Sequence, residues 1–133
     1  MDIAVSEETG AVPVTIFLLE GDLLHEEPLL SAAKEAHRQG ARHMLIDLEK
    51  VPYISSAGLR ALHEIYRLLE GESDAAAEQA VRKGIASGRY TSPHLKLLKP
   101  SKNALRALSV AGFDMFLDVH HERRAALGSF GRD

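Results

Sequence analysis

The stretch Asp47-Leu48-Glu49-Lys50-Val51-Pro52-Tyr53-Ile54-Ser55-Ser56-Ala57-Gly58-Leu59-Arg60-Ala61-Leu62 decides the fold. On its N-terminal side, Arg42 to Leu48 is a short apolar run and reads as a strand. On its C-terminal side, Leu59, Leu62, Ile65, Tyr66 and Leu69 recur at helical spacing and mark one face of an α-helix. Between the two lies a tight turn with hydroxyl side chains where the helix begins. Ser55 and Ser56 therefore stand where unpaired backbone N–H groups and the positive end of the helix dipole point.

Working outward, Ile3 to Val5 and Val12 to Leu19 read as a hairpin, with the acidic turn Glu7-Glu8-Thr9-Gly10 between them. The near-continuous apolar run Val12 to Leu19 predicts a strand covered on both faces by the end of its length. A helix fits Glu26 to Gln39, with Pro28 in its first turn and Gly40 after its end. After Gly71 the pattern weakens. Glu72 to Ala86 reads as a short alanine-rich helix, and Gly88 and Pro93 belong to loop. His94 to Lys99 reads as a fourth strand. Ser101 is the expected N-cap of a helix carrying Leu105, Leu108 and Ala111 and ending at Gly112. Phe113, Phe116 and Leu117 to Val119 form a last strand, His120 to Leu127 a helix, and the remainder a tail. The order β, β, α, β, α, α, β, α, β, α predicts a single α/β domain over residues 1–128, with a tail at 129–133. The central sheet is mostly parallel, of four to five strands, with crossover helices.

Composition narrows the function classes. The chain has 133 residues, 45% of them hydrophobic and 26% charged, with a net charge of −3. Basic residues form no patch, so no direct nucleic-acid contact is expected. No apolar run approaches the ~18 residues of a membrane span, and no signal peptide is evident at Met1 to Pro13. A cytoplasmic location follows as the expectation. There is no cysteine, which removes disulfides, thiolate metal sites and thiol catalysis. Seven histidines are present, but His25, His37, His43, His63 and His94 are scattered. His120 and His121 are adjacent, so their imidazoles point apart on a helix. No metal and no cofactor are expected.

The two serines leave four readings to weigh. A helix cap is the plainest use of one of them. A hydrolase nucleophile elbow needs small residues two positions either side of the serine, and Ile54 stands two before Ser56. A phosphate-cradling loop needs several glycines and a lysine, and only Gly58 is present. Regulatory phosphorylation fits as well, because a dianion at a helix N-terminus is tolerated by the fold and would act on a bound partner. Tyr53 is assigned to the core, as aromatic residues are largely buried on average.

The segment Ile46 to Leu62 resembles the signature of STAS domains, the family of anti-sigma factor antagonists and sulphate-transporter tails. Asp47, Val51, Tyr53, Ile54, Ser55, Ser56, Ala57, Gly58 and Leu59 stand in its register. Leu19-Glu20-Gly21-Asp22-Leu23 is similar to the family's glycine-acidic-leucine turn. Leu95 to Leu98, Pro100, Leu105, Leu108, Gly112, Phe113 and Phe116 are similar to its C-terminal half. The resemblance implies a non-enzymatic anti-sigma factor antagonist in a partner-switching pathway. Its partners would be an anti-sigma factor that is also a serine kinase, and a serine phosphatase. The implied phosphoacceptor is Ser56, and the implied partner-facing residues are Asp22, Ser55, Ala57, Gly58, Arg60 and His63. A monomer or weak homodimer is expected. The alternative is a constitutive STAS adaptor, for example in a transporter complex, without phospho-switching. The chain departs from the family in three places. Ser55 stands where the family has an aspartate, and Leu24 replaces another. Residues 72–93 form an extra segment, which is either a partner surface or a neutral insertion.

Overall fold

A computed structural model describes residues 1–71 and 91–131. Five strands form one sheet in sequence order: β1 (Asp2–Thr9), β2 (Pro13–Glu20), β3 (Met44–Lys50), β4 (Leu95–Leu98) and β5 (Asp118–His120). The first pair is antiparallel and the other three are parallel. Helices α1 (Leu29–Arg38), α2 (Ser56–Glu70) and α3 (Lys102–Val110) make the crossovers. A 3-10 turn (Phe113–Met115) precedes β5, and α4 (Arg123–Ser129) follows it. The fold is the mostly parallel α/β sheet that the alternation predicts.

Strand alternation sorts the core into two layers. Phe17, Leu19, Met44, Ile46, Leu48, Leu95 and Leu97 face α1, α2 and α3 in the larger cluster. Val14, Ile16, Leu45 and Leu98 face the other way and pack with Ala126 and Phe130. The double covering explains why Val14 to Leu19 has no polar alternation except Thr15, itself buried. The central strands are thus clamped on both sides, which fixes the C-terminal end of β3 and the turn that follows it.

Several boundaries differ from the expectation. The first strand runs through Glu7 and Glu8 to Thr9, because pairing with β2 continues out to Pro13. Its solvent-facing edge tolerates those charges. Pro28 is the N-cap of α1 and not part of its first turn. Phe113 begins a 3-10 turn, and the last strand starts only at Asp118. The alanine-rich helix expected within residues 72–86 lies outside the described residues.

The expected tail at 129–133 needs correction, because the fold runs past residue 128. Phe130 is completely buried in the second cluster, and α4 continues to Ser129. A fully buried lysine sits beneath them. Lys96 donates to Ser129 Oγ at 3.0 Å and to the Ser129 carbonyl at 3.3 Å. Its ammonium lies 3.5 Å from Asp118 Oδ2 and 5.0 Å from the centre of the Phe130 ring. The one polar residue of an otherwise apolar strand thereby anchors the C-terminal helix.

Of the expected extra segment 72–93, only residues 91–93 are described. Ser92 is fully buried. Its hydroxyl donates to Glu70 Oε1 at 2.6 Å and accepts from the His94 and Leu95 amides at 3.2 and 3.3 Å. The end of α2 is thus tied to the start of β4. Ser92→Ala removes the acceptor of two amides and is expected to lower stability by about 1–3 kcal/mol. A urea unfolding curve unmoved by the substitution would contradict that role.

Candidate functional site

The turn between β3 and α2 is built from hydrogen bonds to a second turn, the one after β2. Leu23 N–H donates to the Tyr53 carbonyl and Ser55 N–H donates to the Leu23 carbonyl, each at 2.9 Å. Together they form an isolated parallel bridge between Leu23 and Ile54. Both residues are buried. Alternation then turns their neighbours outward. Leu24 is 43% exposed and Tyr53 51% exposed. The placement of Tyr53 in the core is therefore corrected. Val51 and Ile54 fill the interior here, and the ring stands at the surface beside the serines.

The two serines divide the work. Ser55 has extended backbone angles and its Oγ accepts the Gly58 amide at 3.2 Å, so it is the helix N-cap. Ser56 is the first residue of α2 and is exposed. Its hydroxyl is free of the capping duty and sits over the positive end of a fifteen-residue helix. Serine at position 55 does with a hydroxyl what an aspartate there would do with a carboxylate, since both cap well. The departure at Ser55 therefore leaves the helix start intact.

The other predicted residues fall into two groups. Asp22 is exposed on the turn that the Leu23–Ile54 bridge holds against the serines. Arg60 and His63 are exposed and continue one line down α2 from Ser56, at helical spacing. Ala57 is half-buried beside them. Gly58 is different, because it is buried against the Leu23 turn. A Cβ there would meet the Leu23 carbonyl oxygen at 2.6 Å. Gly58 is thus a close-packing position inside the fold and not an exposed, partner-facing one.

Ser101 caps α3 as expected, by accepting the Ala104 amide. Two features escaped sequence reading. The Ser101 hydroxyl also donates to the Val51 carbonyl at 2.9 Å. That bond braces the turn from below. Arg60 reaches across to the loop before α1, where its Nε donates to Glu26 Oε1 at 3.0 Å. Residues 34 positions apart gave no spacing signal.

Among the described residues, no group of three histidine, cysteine or acidic side chains is placed to hold a metal ion. No described helix is long and apolar enough to cross a membrane.

The STAS domain profile matches residues 6–74, just over half of the chain. The chain belongs to the STAS domain family. No curated protein sequence matches it significantly. Among solved structures, it is similar to a candidate anti-sigma factor antagonist from Thermotoga maritima, at 16% identity and a TM-score of 0.62. That alignment covers 95% of this chain and 93% of the other. An anti-sigma-factor antagonist (STAS) domain protein from Planctomyces limnophilus aligns at 17% identity and a TM-score of 0.61, over 92% and 94% of the two chains. The phosphorylated form of the Bacillus cell fate determinant SpoIIAA aligns at 21% identity and a TM-score of 0.57, over 92% and 96%. At these identities the likeness is one of fold.

Proposed function

We propose that the protein is an anti-sigma factor antagonist of the partner-switching kind, working in the cytoplasm as a binding protein and not as an enzyme. Unmodified, it captures an anti-sigma factor that is also a serine kinase. The kinase transfers the γ-phosphoryl group of ATP to Ser56 Oγ, the hydroxyl proton passes to solvent and ADP leaves. A serine phosphatase hydrolyses the phosphoester and restores capture. The observation that carries this reading is the division between the serines: Ser55 holds the cap while Ser56 is exposed at the first helical position. A helix start that does not depend on the Ser56 hydroxyl can accept a phosphate without unfolding.

The surface around Ser56 suits a protein partner. Leu24 and Tyr53 supply exposed apolar area, and Asp22, Arg60 and His63 are exposed polar groups on the turn after β2 and on α2. Exposed apolar and polar groups together are the ordinary makings of an interface. A phosphate on Ser56 that is covered by a partner must be desolvated on binding, which costs affinity.

The test is to incubate the protein with ATP and the serine kinases of the anti-sigma factor type encoded in its source genome, then map phosphate by mass spectrometry. Phosphate on Ser56, absent from Ser56→Ala, is the expected result. Stable complex formation with no phosphate on Ser56 would favour the constitutive adaptor instead. Ser56→Asp is expected to bind the kinase at least about tenfold more weakly than wild type, or ~1.4 kcal/mol. Equal affinities in a titration would count against the switch.

A further inference from the structure

We propose that Arg60 is the internal receiver of the phosphate on Ser56, and that Glu26 is its counter-ion in the unmodified protein. Phosphorylation then exchanges one ion pair for another and releases the Glu26 side chain from α2. The inference rests on Ser56 being the acceptor, and adds how the modification is transmitted.

Ser56 and Arg60 lie one helical turn apart on α2 and are both exposed. At that spacing, Cβ atoms stand about 5–6 Å apart on one face. A guanidinium on its long stem reaches a phosphate at the upper position without any movement of backbone. In the unmodified protein the same guanidinium is turned aside to Glu26, at 3.0 Å. That pair is open to water, with the two side chains 64% and 39% exposed. Exposed pairs of this kind are weakly held, because water screens them. They are easily displaced by a stronger acceptor.

A phosphoserine is such an acceptor. It carries roughly −1.5 to −2 charges at neutral pH against −1 for a carboxylate, with three acceptor oxygens. The planar arginine fork matches two of them at once. The phosphate is also held over α2 by the helix dipole, so it waits at the right height. Glu26 faces the opposite balance. Once Arg60 leaves, its carboxylate stands near a dianion on a loop that already carries Asp22 and Glu27, and like charges there repel.

The consequence falls on the surface that a partner would meet. Glu26 belongs to the loop that also bears Asp22 and Leu24, and its pair with Arg60 is a tie between that loop and α2. Breaking the tie at the moment the charge appears changes the electrostatics at both ends of that surface: a dianion paired with Arg60 at Ser56, and an unpaired carboxylate at Glu26.

Phosphoserine inserted at position 56 during translation tests this without any kinase. Two readings are taken on the unmodified and phosphorylated proteins: the NMR signal of the Arg60 side-chain Nε–H, and the melting temperature. Glu26→Gln is expected to move the Arg60 signal in the unmodified protein and leave it in place in the phosphorylated one. Arg60→Gln is expected to lower the melting temperature of the phosphorylated protein by at least about 2 °C more than that of the unmodified protein. Arg60→Lys, which keeps charge without the fork, is expected to fall between. An Arg60 signal that follows Glu26→Gln equally in both forms would overturn the exchange. So would equal melting losses in both forms on Arg60→Gln. If no kinase modifies Ser56, the proposed function fails while the behaviour of the translated phosphoprotein still decides the exchange.

Discussion

Gly58→Ala is expected to lower the unfolding free energy by about 3 kcal/mol, the upper part of the range for overpacking. The new Cβ would stand 2.6 Å from the Leu23 carbonyl oxygen, 2.8 Å from Leu23 Cγ and 2.9 Å from Ile54 Cγ2. The carbonyl cannot step aside cheaply, because it accepts the Ser55 amide and so fixes the helix cap. Helix propensity pushes the other way, since alanine is better than glycine inside a helix by about 1 kcal/mol. The sign of the result is therefore decisive. A loss in chemical denaturation means that close approach controls this residue. A gain would mean that α2 and the Leu23 turn are not in contact as described.

The second large effect is expected at the other end of the sheet. Asp118→Asn leaves the Lys96 ammonium, fully buried, without the carboxylate 3.5 Å away. Removing one partner of a buried pair costs about 3–5 kcal/mol. Asp118 is itself 32% exposed, so we expect about 3 kcal/mol, the low end of that range. Lys96→Met removes the buried charge and keeps an unbranched chain of similar bulk, so its cost is expected to be smaller. The order is the test: in urea titrations the Asp118 variant should unfold first. A Lys96→Met protein less stable than Asp118→Asn would show that the ammonium stabilises more through Ser129 and the Phe130 ring than through Asp118.

Local chemistry made the sheet and its crossovers readable before any coordinates. Short apolar runs mark β2, β3 and β4 directly and helical apolar spacing marks α2, and Ser101 is recognisable as a cap from its place before a helical pattern. The rest was hidden for a physical reason in each case. Tyr53 looks like core because aromatic rings usually are. Its outward direction is set by the bridge between Leu23 and Ile54, a pairing of residues 31 apart that no local pattern encodes. Lys96 looks like the polar face of a strand, and only the return of Ser129 and Asp118 over it makes burial tolerable. Phe130 lies after Gly128 in a stretch with the composition of a tail, yet it closes the second core layer. At the site, the sequence left open which serine would cap the helix. The bond from Gly58 N–H to Ser55 Oγ answers that and leaves Ser56 to the surface.

Phosphate on Ser56 as the control of partner capture is most directly tested by calorimetric titration. Protein carrying phosphoserine at 56, and the same protein unmodified, are titrated into the anti-sigma factor kinase of the source organism. The unmodified protein should bind, and the phosphorylated protein should bind at least about tenfold more weakly, a difference of ~1.4 kcal/mol or more. Equal affinity for the two forms would contradict the switch.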